Sequence, residues 1–273
     1  MIILIIVVLG LCFGSFINAL VWRLHEQTKK SKIKNHELSI IKGRSMCPHC
    51  YHELAWYDLV PVLSWLQLRG KCRYCRKPIP DSPLVELVSA LLFILSYLYW
   101  PMAFDTKGTT LFVFWLIFLI GLIALDLYDL KWLILPNKIT YLLTAMAFMQ
   151  SFVLIVAFSG HVKHLEQILL SAILGGGIFY FIFQVSSGKW IGGGDVKLGL
   201  LIGLLLADPG LTFLVIFIAS LLGTAFSLPL IAANKLNKTS HIPFGPFLIM
   251  ATIIARLFGL SIIAWYKRQF LLI

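Results

Sequence analysis

Three aspartates, Asp126, Asp129 and Asp195, stand within or at the ends of long apolar runs, where an ionisable group is expensive and by default points to function. Two carboxylates held close together cannot both ionise readily, so they share a proton. One then acts as base toward water while the other polarises a carbonyl, which is the chemistry of an aspartic protease. Buried aspartates equally suit a proton-coupled membrane transporter, and these residues by themselves leave that alternative open. Asp195 follows Gly192, Gly193 and Gly194. Without Cβ atoms these glycines can adopt positive φ and let a substrate strand approach the backbone. The plainer readings are a glycine-rich helix start with Asp195 near its N-cap or a helix-packing patch.

A second constellation is made of sulfur. Cys47, Cys50, Cys72 and Cys75 form two C-x-x-C pairs with 21 residues between them. That spacing presents four thiolates to one ion, and zinc is the metal it suits. Four cysteines leave no open position for water, so such a zinc is structural, and a module this small needs a staple to fold. Disulfides are the competing reading, disfavoured in a reducing compartment. His49 and His52 are alternative ligands near the first pair; Cys12, alone in the first apolar run, is a small apolar residue.

The elements that must position these groups are membrane helices. The chain has 273 residues, of which 59% are hydrophobic and 13% charged. Apolar stretches recur at about 2–22, 84–104, 111–128, 132–158, 165–185, 196–207, 210–232 and 244–266, most of them near the ~20 residues a span requires. The expected fold is an all-α polytopic membrane protein of about eight transmembrane helices, with seven as the fallback because 196–207 is short. A small four-cysteine module lies between the first two. The division expected is a first helix at 1–22, a basic linker and zinc module at 23–83, and a membrane domain at 84–273.

Charge sets the orientation. Twelve Lys and Arg lie between Arg23 and Asp81, and Lys131, Lys138, Lys189, Lys197, Lys235 and Lys238 fall in later loops of the same parity. The opposite side has Lys107, Lys163, Lys267 and Arg268, and Arg256 falls inside the last span. The positive-inside rule then puts the cysteine module and the aspartates at the cytoplasmic face, with the N-terminus outside. Two spans separate Asp129 from Asp195, so both sit at the same face. The net charge of +11 is accounted for by topology and anionic lipid, without nucleic acid.

The assembled motifs resemble the type IV prepilin peptidases, bacterial membrane aspartic proteases of the GxGD kind. The resemblance runs through "GSFINALVWRL" (Gly14–Leu24), "CPHC", "WYDLVPVLSWLQLRGKCRYC", "PLVEL", "DLKWLILPN" (Asp129–Asn137) and "GGGDVKLG". It implies Asp129 and Asp195 as the catalytic pair, with Gly192 and Gly194 as the motif glycines. The family's spacing between its first catalytic aspartate and a following proline implies Asp129, seven residues before Pro136, over Asp126, which is left as a solvated helix-end carboxylate or an assistant. It also implies a prepilin or pseudopilin substrate with a basic leader ending in glycine, cleaved at the cytoplasmic face of the bacterial inner membrane. The family's second activity, methylation of the new N-terminus with S-adenosylmethionine, is placed with the cysteine module and would involve Gly70 and Lys71. Glu86 is expected to pair with a basic residue, to position substrate or simply to start a helix; Lys197 is expected to hold a neighbouring charge or reach the headgroups. His161 and His164 read as a solvated loop, and Gly175–Gly177 as a packing patch. An ion-coupled transporter and a non-catalytic scaffold anchored by its zinc module are the rivals from other classes. The oligomeric state is left open.

Overall fold

The computed structural model describes residues 1–29, 39, 43–79, 82–159, 162–233 and 243–270. Most of the basic linker, His161, Lys235 and Lys238 lie outside the described residues. Among the described residues no strand forms, only isolated bridges between Met46 and Glu53 and between Lys71 and Pro78. All eight apolar segments become helices. They are α1 (Ile2–Thr28), α3 (Leu84–Leu98), α4 (Thr106–Trp132), α5 (Asn137–Val153), the pair α6 (Val162–Ala172) and α7 (Ile178–Val185), α8 (Gly193–Leu206), α9 (Pro209–Ala232) and α10 (Gly245–Phe270). A short α2 (Leu63–Gln67) belongs to the cysteine module. Among the described residues six helices are long and apolar enough to cross a membrane, α6 and α7 counting as one through a π turn at Ile173–Gly177. α3 and α8 are shorter, at 15 and 14 residues.

The chain divides into two compact units, Met1–Leu98 and Tyr99–Ile273. In the first, α1 and α3 approach backbone to backbone. A Cβ at Gly10 would lie 2.5 Å from the Ala90 Cα, and one at Gly14 2.5 Å from the Glu86 Cα. This is the close packing that a small-xxx-small spacing permits in an apolar medium.

The second unit is organised around α8. This helix is apolar nearly all round and buries Leu198, Leu201, Ile202, Leu204, Leu205 and Leu206, as a helix enclosed by others must. It packs against α5, α6, α9, α10 and the π turn. Fourteen residues span about 21 Å, less than the roughly 30 Å hydrocarbon core. With its first turn at one surface, its last carbonyls cannot reach water at the other. Side chains satisfy them instead: the Ser171 hydroxyl donates to the Gly203 carbonyl at 2.8 Å, and the Gln150 amide to that of Leu205 at 3.1 Å. Ala207 closes the helix in the left-handed conformation, and Asp208 at once caps α9 by accepting from the Leu211 N–H.

The boundary around Asp129 departs from expectation. α4 does not end near residue 128 but continues through Asp126 and Asp129 to Trp132, where Leu133 turns left-handed (φ 55°) and Pro136 caps α5. Proline excludes helix before itself, so the break falls at 133–136. Near the other end of this unit the Arg256 guanidinium lies over the Trp100 ring at 4.7 Å, which offsets part of the penalty of a cation within α10.

Gly175 and Gly199 pack backbone to backbone, each leaving room only for the other's carbonyl. Gly199→Val should therefore destabilise the protein by about 1–3 kcal/mol, read as a lower unfolding midpoint in detergent. An unchanged midpoint would contradict this packing.

Candidate active site and metal centre

The last turn of α4 brings Asp129, only 6% exposed, and the first turn of α8 brings Asp195 to the same cavity of about 650 Å³. The Asp129 carboxyl interacts electrostatically with that of Asp195 and also with that of Asp126 one turn earlier. The chain break at 133–136 supplies Leu133, Ile134 and Leu135 to the lining, and the turn before α8 supplies Trp190. Leu133, Ile134 and Trp190 are exposed apolar side chains, so the polar centre has an apolar rim. Asp126 does not line the cavity. Its Oδ1 is buried with no hydrogen-bond partner, which corrects the expectation of a solvated helix-end carboxylate: the helix continues for six residues beyond it.

The glycines before Asp195 act through space and not through unusual backbone. Gly192 is the N-cap at φ −75°, and the positive-φ glycines among the described residues are Gly70 and Gly188, so the expected positive φ is not adopted. Gly194 packs on Leu135, where a Cβ would lie 3.2 Å from the leucine side chain. Gly192 faces the Asp195 carboxyl, and its N-cap carbonyl accepts from the Asp195 N–H at 3.1 Å. Lys197, also on the lining, donates to the Asn137 Oδ1 at 2.8 Å and lies over Tyr141 at 5.2 Å. It ties α8 to α5 instead of forming an ion pair.

One residue escaped the sequence reading. Gly245 opens α10 against Asp129, and a Cβ there would lie 2.5 Å from the Asp129 Oδ2. The signal was the "IPFGPF" punctuation at 242–247, a glycine between two prolines at the start of an apolar run.

In the first unit the four cysteine sulfurs all lie within 4.8 Å of one another. Tetrahedral zinc with bonds near 2.3 Å requires sulfurs about 3.8 Å apart, and Cys47 and Cys75 are 3.9 Å apart. The two knuckles share one geometry. The Cys47 carbonyl accepts from Tyr51 and the Cys72 carbonyl from Arg76, both at 2.9 Å, and both donors have left-handed φ of 56°. Burial pushes the Cys47 thiol up to about 12, so a metal binding there displaces protons. Neither histidine joins the cluster: His49 Nε2 meets the Pro78 carbonyl and His52 stacks on Tyr74. Arg73 closes the module by an ion pair to Asp58 at 2.7 Å.

Gly70 takes φ +70° beneath the Trp65 ring, a conformation that favours glycine, and Lys71 is exposed beside it. Glu86 pairs with no cation among the described residues. Its carboxylate accepts from the Val62 N–H at 2.6 Å.

Residues 8–100 match the bacterial peptidase A24 N-terminal domain, and residues 116–228 match the type IV leader peptidase family. The chain is 31% identical to the prepilin leader peptidase/N-methyltransferase of Aeromonas hydrophila, over 96% of this chain and 92% of that one. Proteins of the same description from Stutzerimonas stutzeri and Vibrio cholerae are also 31% identical, covering 95% and 90% of this chain and 91% and 93% of theirs. No solved structure matches the chain.

The sulfur geometry predicts one tightly held zinc per purified chain, measured by elemental analysis. Cys47→Ser or Cys72→Ser should reduce it to well below half. A metal-free wild-type protein with two disulfides would contradict the assignment.

Proposed function

The chain belongs to the type IV leader peptidase family, and from that premise we propose that it cleaves the leader of a prepilin or pseudopilin with Asp129 and Asp195 as its catalytic pair, and then N-methylates the new terminus. It is a multi-pass membrane enzyme. The observation that carries the dyad is that the last turn of α4 and the first turn of α8 deliver these two carboxyl groups to one cavity while Asp126 stays outside its lining.

In that cavity the pair holds one proton between two carboxyl groups. The ionised member takes a proton from water as the oxygen attacks the scissile carbonyl. The protonated member donates a hydrogen bond to that carbonyl oxygen and then gives its proton to the leaving amine. Gly192 and Gly194 leave room beside Asp195 for an extended substrate segment. The exposed Leu133, Ile134 and Trp190 suit the apolar helix that follows the leader. The excess of Lys and Arg in loops of one parity supports a cytoplasmic position in the bacterial inner membrane for this site, with the substrate's basic leader ending in glycine. Membership of a peptidase family disfavours transport as the role of the aspartates.

We assign zinc to the four cysteines as a structural ion of the module within 43–79, with peptidase chemistry in 84–273. S-adenosylmethionine, the donor that N-methylation implies, would supply an activated methyl group. Gly70 and Lys71 are proposed to serve that transfer, Gly70 by fixing the turn under Trp65. The buried, unpartnered Asn18 Oδ1 and Trp65 Nε1 are polar atoms that a bound group would satisfy.

Asp129→Asn and Asp195→Asn should each lower prepilin cleavage by at least about a hundredfold with the protein still folded and zinc-loaded, whereas Asp126→Asn should retain it. Cleavage that survives Asp129→Asn but not Asp126→Asn would move the dyad by one helical turn. Gly245→Val should abolish cleavage by displacing Asp129, with α10 still in place by limited proteolysis; full activity in that variant would refute the close approach.

A further inference from the structure

The first unit contains a cavity of about 160 Å³ that the peptidase chemistry does not use. Its walls come from the second half of α1, from α2 and the cysteine module, and from the start of α3. Besides the buried Arg23 guanidinium, which donates to the Ser39 carbonyl, three residues on its lining carry hydrogen-bonding capacity that is open in whole or in part. The Asn18 Oδ1 is a buried acceptor with no partner, and the Trp65 Nε1 a buried donor with no partner. Buried polar atoms without partners are costly, and two on one small cavity point to something that satisfies them. The third is the Glu86 carboxylate, 9% exposed and without an ion pair among the described residues. One of its roughly four lone-pair sites is taken by the Val62 N–H.

The backbone around the cavity is held under strain. Val62 has φ 61° and ψ −49°, and the Leu63 N–H reaches back to the Pro61 carbonyl at 2.6 Å. This is a γ-turn of the rare, strained hand, and on a β-branched residue it is a true outlier. Glu86 grips the Val62 N–H of this turn, from which α2 departs and carries Trp65 to the cavity wall. Strain persists where the surroundings over-determine it, and it concentrates at ligand clamps.

Two acceptors, one of them charged, the indole donor, the Arg23 guanidinium, and the aromatic side chains of Trp22 and Trp65 give a lining that carries both signs of charge, as a group with an ammonium and an adjacent oxygen requires. The volume admits a group the size of one amino-acid residue. We propose that this cavity binds an α-ammonium head group together with its adjacent carbonyl or carboxylate oxygen. The ammonium donates to Glu86 and Asn18, and the oxygen accepts from the Trp65 indole N–H. The inference rests on the methyl-transfer reading above, because that reaction brings two such groups to the enzyme. One is the new N-terminal residue of the cleaved pilin, and the other is the amino-acid end of S-adenosylmethionine.

The test uses the full chain in detergent or nanodiscs. Equilibrium titrations are made with S-adenosylmethionine and with a soluble peptide amide copying the mature pilin terminus, alongside KM for each in the methylation assay. Trp65→Phe keeps the ring but deletes the donor, Asn18→Leu deletes the acceptor, and Glu86→Gln removes the charge. Each should weaken binding of one probe and raise its KM at least tenfold, while leader cleavage and zinc content stay within twofold of wild type. A loss confined to the peptide assigns the cavity to the pilin terminus; a loss confined to S-adenosylmethionine assigns it to the donor. Unchanged affinity for both probes in Trp65→Phe and Asn18→Leu overturns the proposal. So does a parallel fall in cleavage and zinc with affinity otherwise normal, which marks a folding role. A wild-type chain that binds the peptide amide but never methylates refutes the methyl-transfer reading while leaving the cavity's preference measured.

Discussion

The second unit depends on the difficulty of keeping a carboxyl group among apolar helices. Asp129 and Asp195 are tolerable because each sits in a terminal turn, beside a chain break that opens a cavity between them. That placement requires α4 to stop at Leu133 and α8 to start at Gly193. It also forces α8 to be short, which leaves carbonyls at its far end inside the protein. Ser171, Gln150 and the left-handed Ala207 answer that secondary problem, and the glycines at 175, 199 and 203 let neighbouring backbones close around the helix. One chemical demand at the near end of α8 is thus coupled to buried hydrogen bonds about 20 Å away at its other end.

The first unit follows a different logic. Its soluble part is too small for a sizeable apolar core, and four sulfurs take the place of one. Gly10 and Gly14 on α1 bring α3 close, and Glu86 at the start of that helix holds the strained turn at Val62. The cavity that results lies beside the cysteine cluster, with Cys47 and Cys72 on its lining.

Much of this was legible in the sequence because the signals were periodic or compositional. Apolar runs located all eight helices, the double C-x-x-C spacing located the cysteine cluster, and parity put Asp129 and Asp195 on one face. Less legible was anything set by tertiary contact. The extent of α4 beyond Asp126 was missed because "DLYDLKW" carries no stop signal until Pro136. Lys197 was read as a partner for charge, but it meets the neutral Asn137, sixty residues away in the chain. Gly245 was overlooked because its importance lies in a contact with Asp129, more than a hundred residues earlier. Positive φ was expected at Gly192–Gly194, whereas space beside Leu135 and Asp195 is what those positions provide.

The claim on which the account rests is that Asp129 and Asp195 act as one unit in one cavity. Single-turnover cleavage of a prepilin by excess enzyme, compared across Asp129→Asn, Asp195→Asn and the double variant, measures this directly. Members of one catalytic unit are strongly non-additive, so the double variant should cleave no more slowly than either single variant. Losses that multiply in the double variant, or substantial cleavage in either single one, would contradict it.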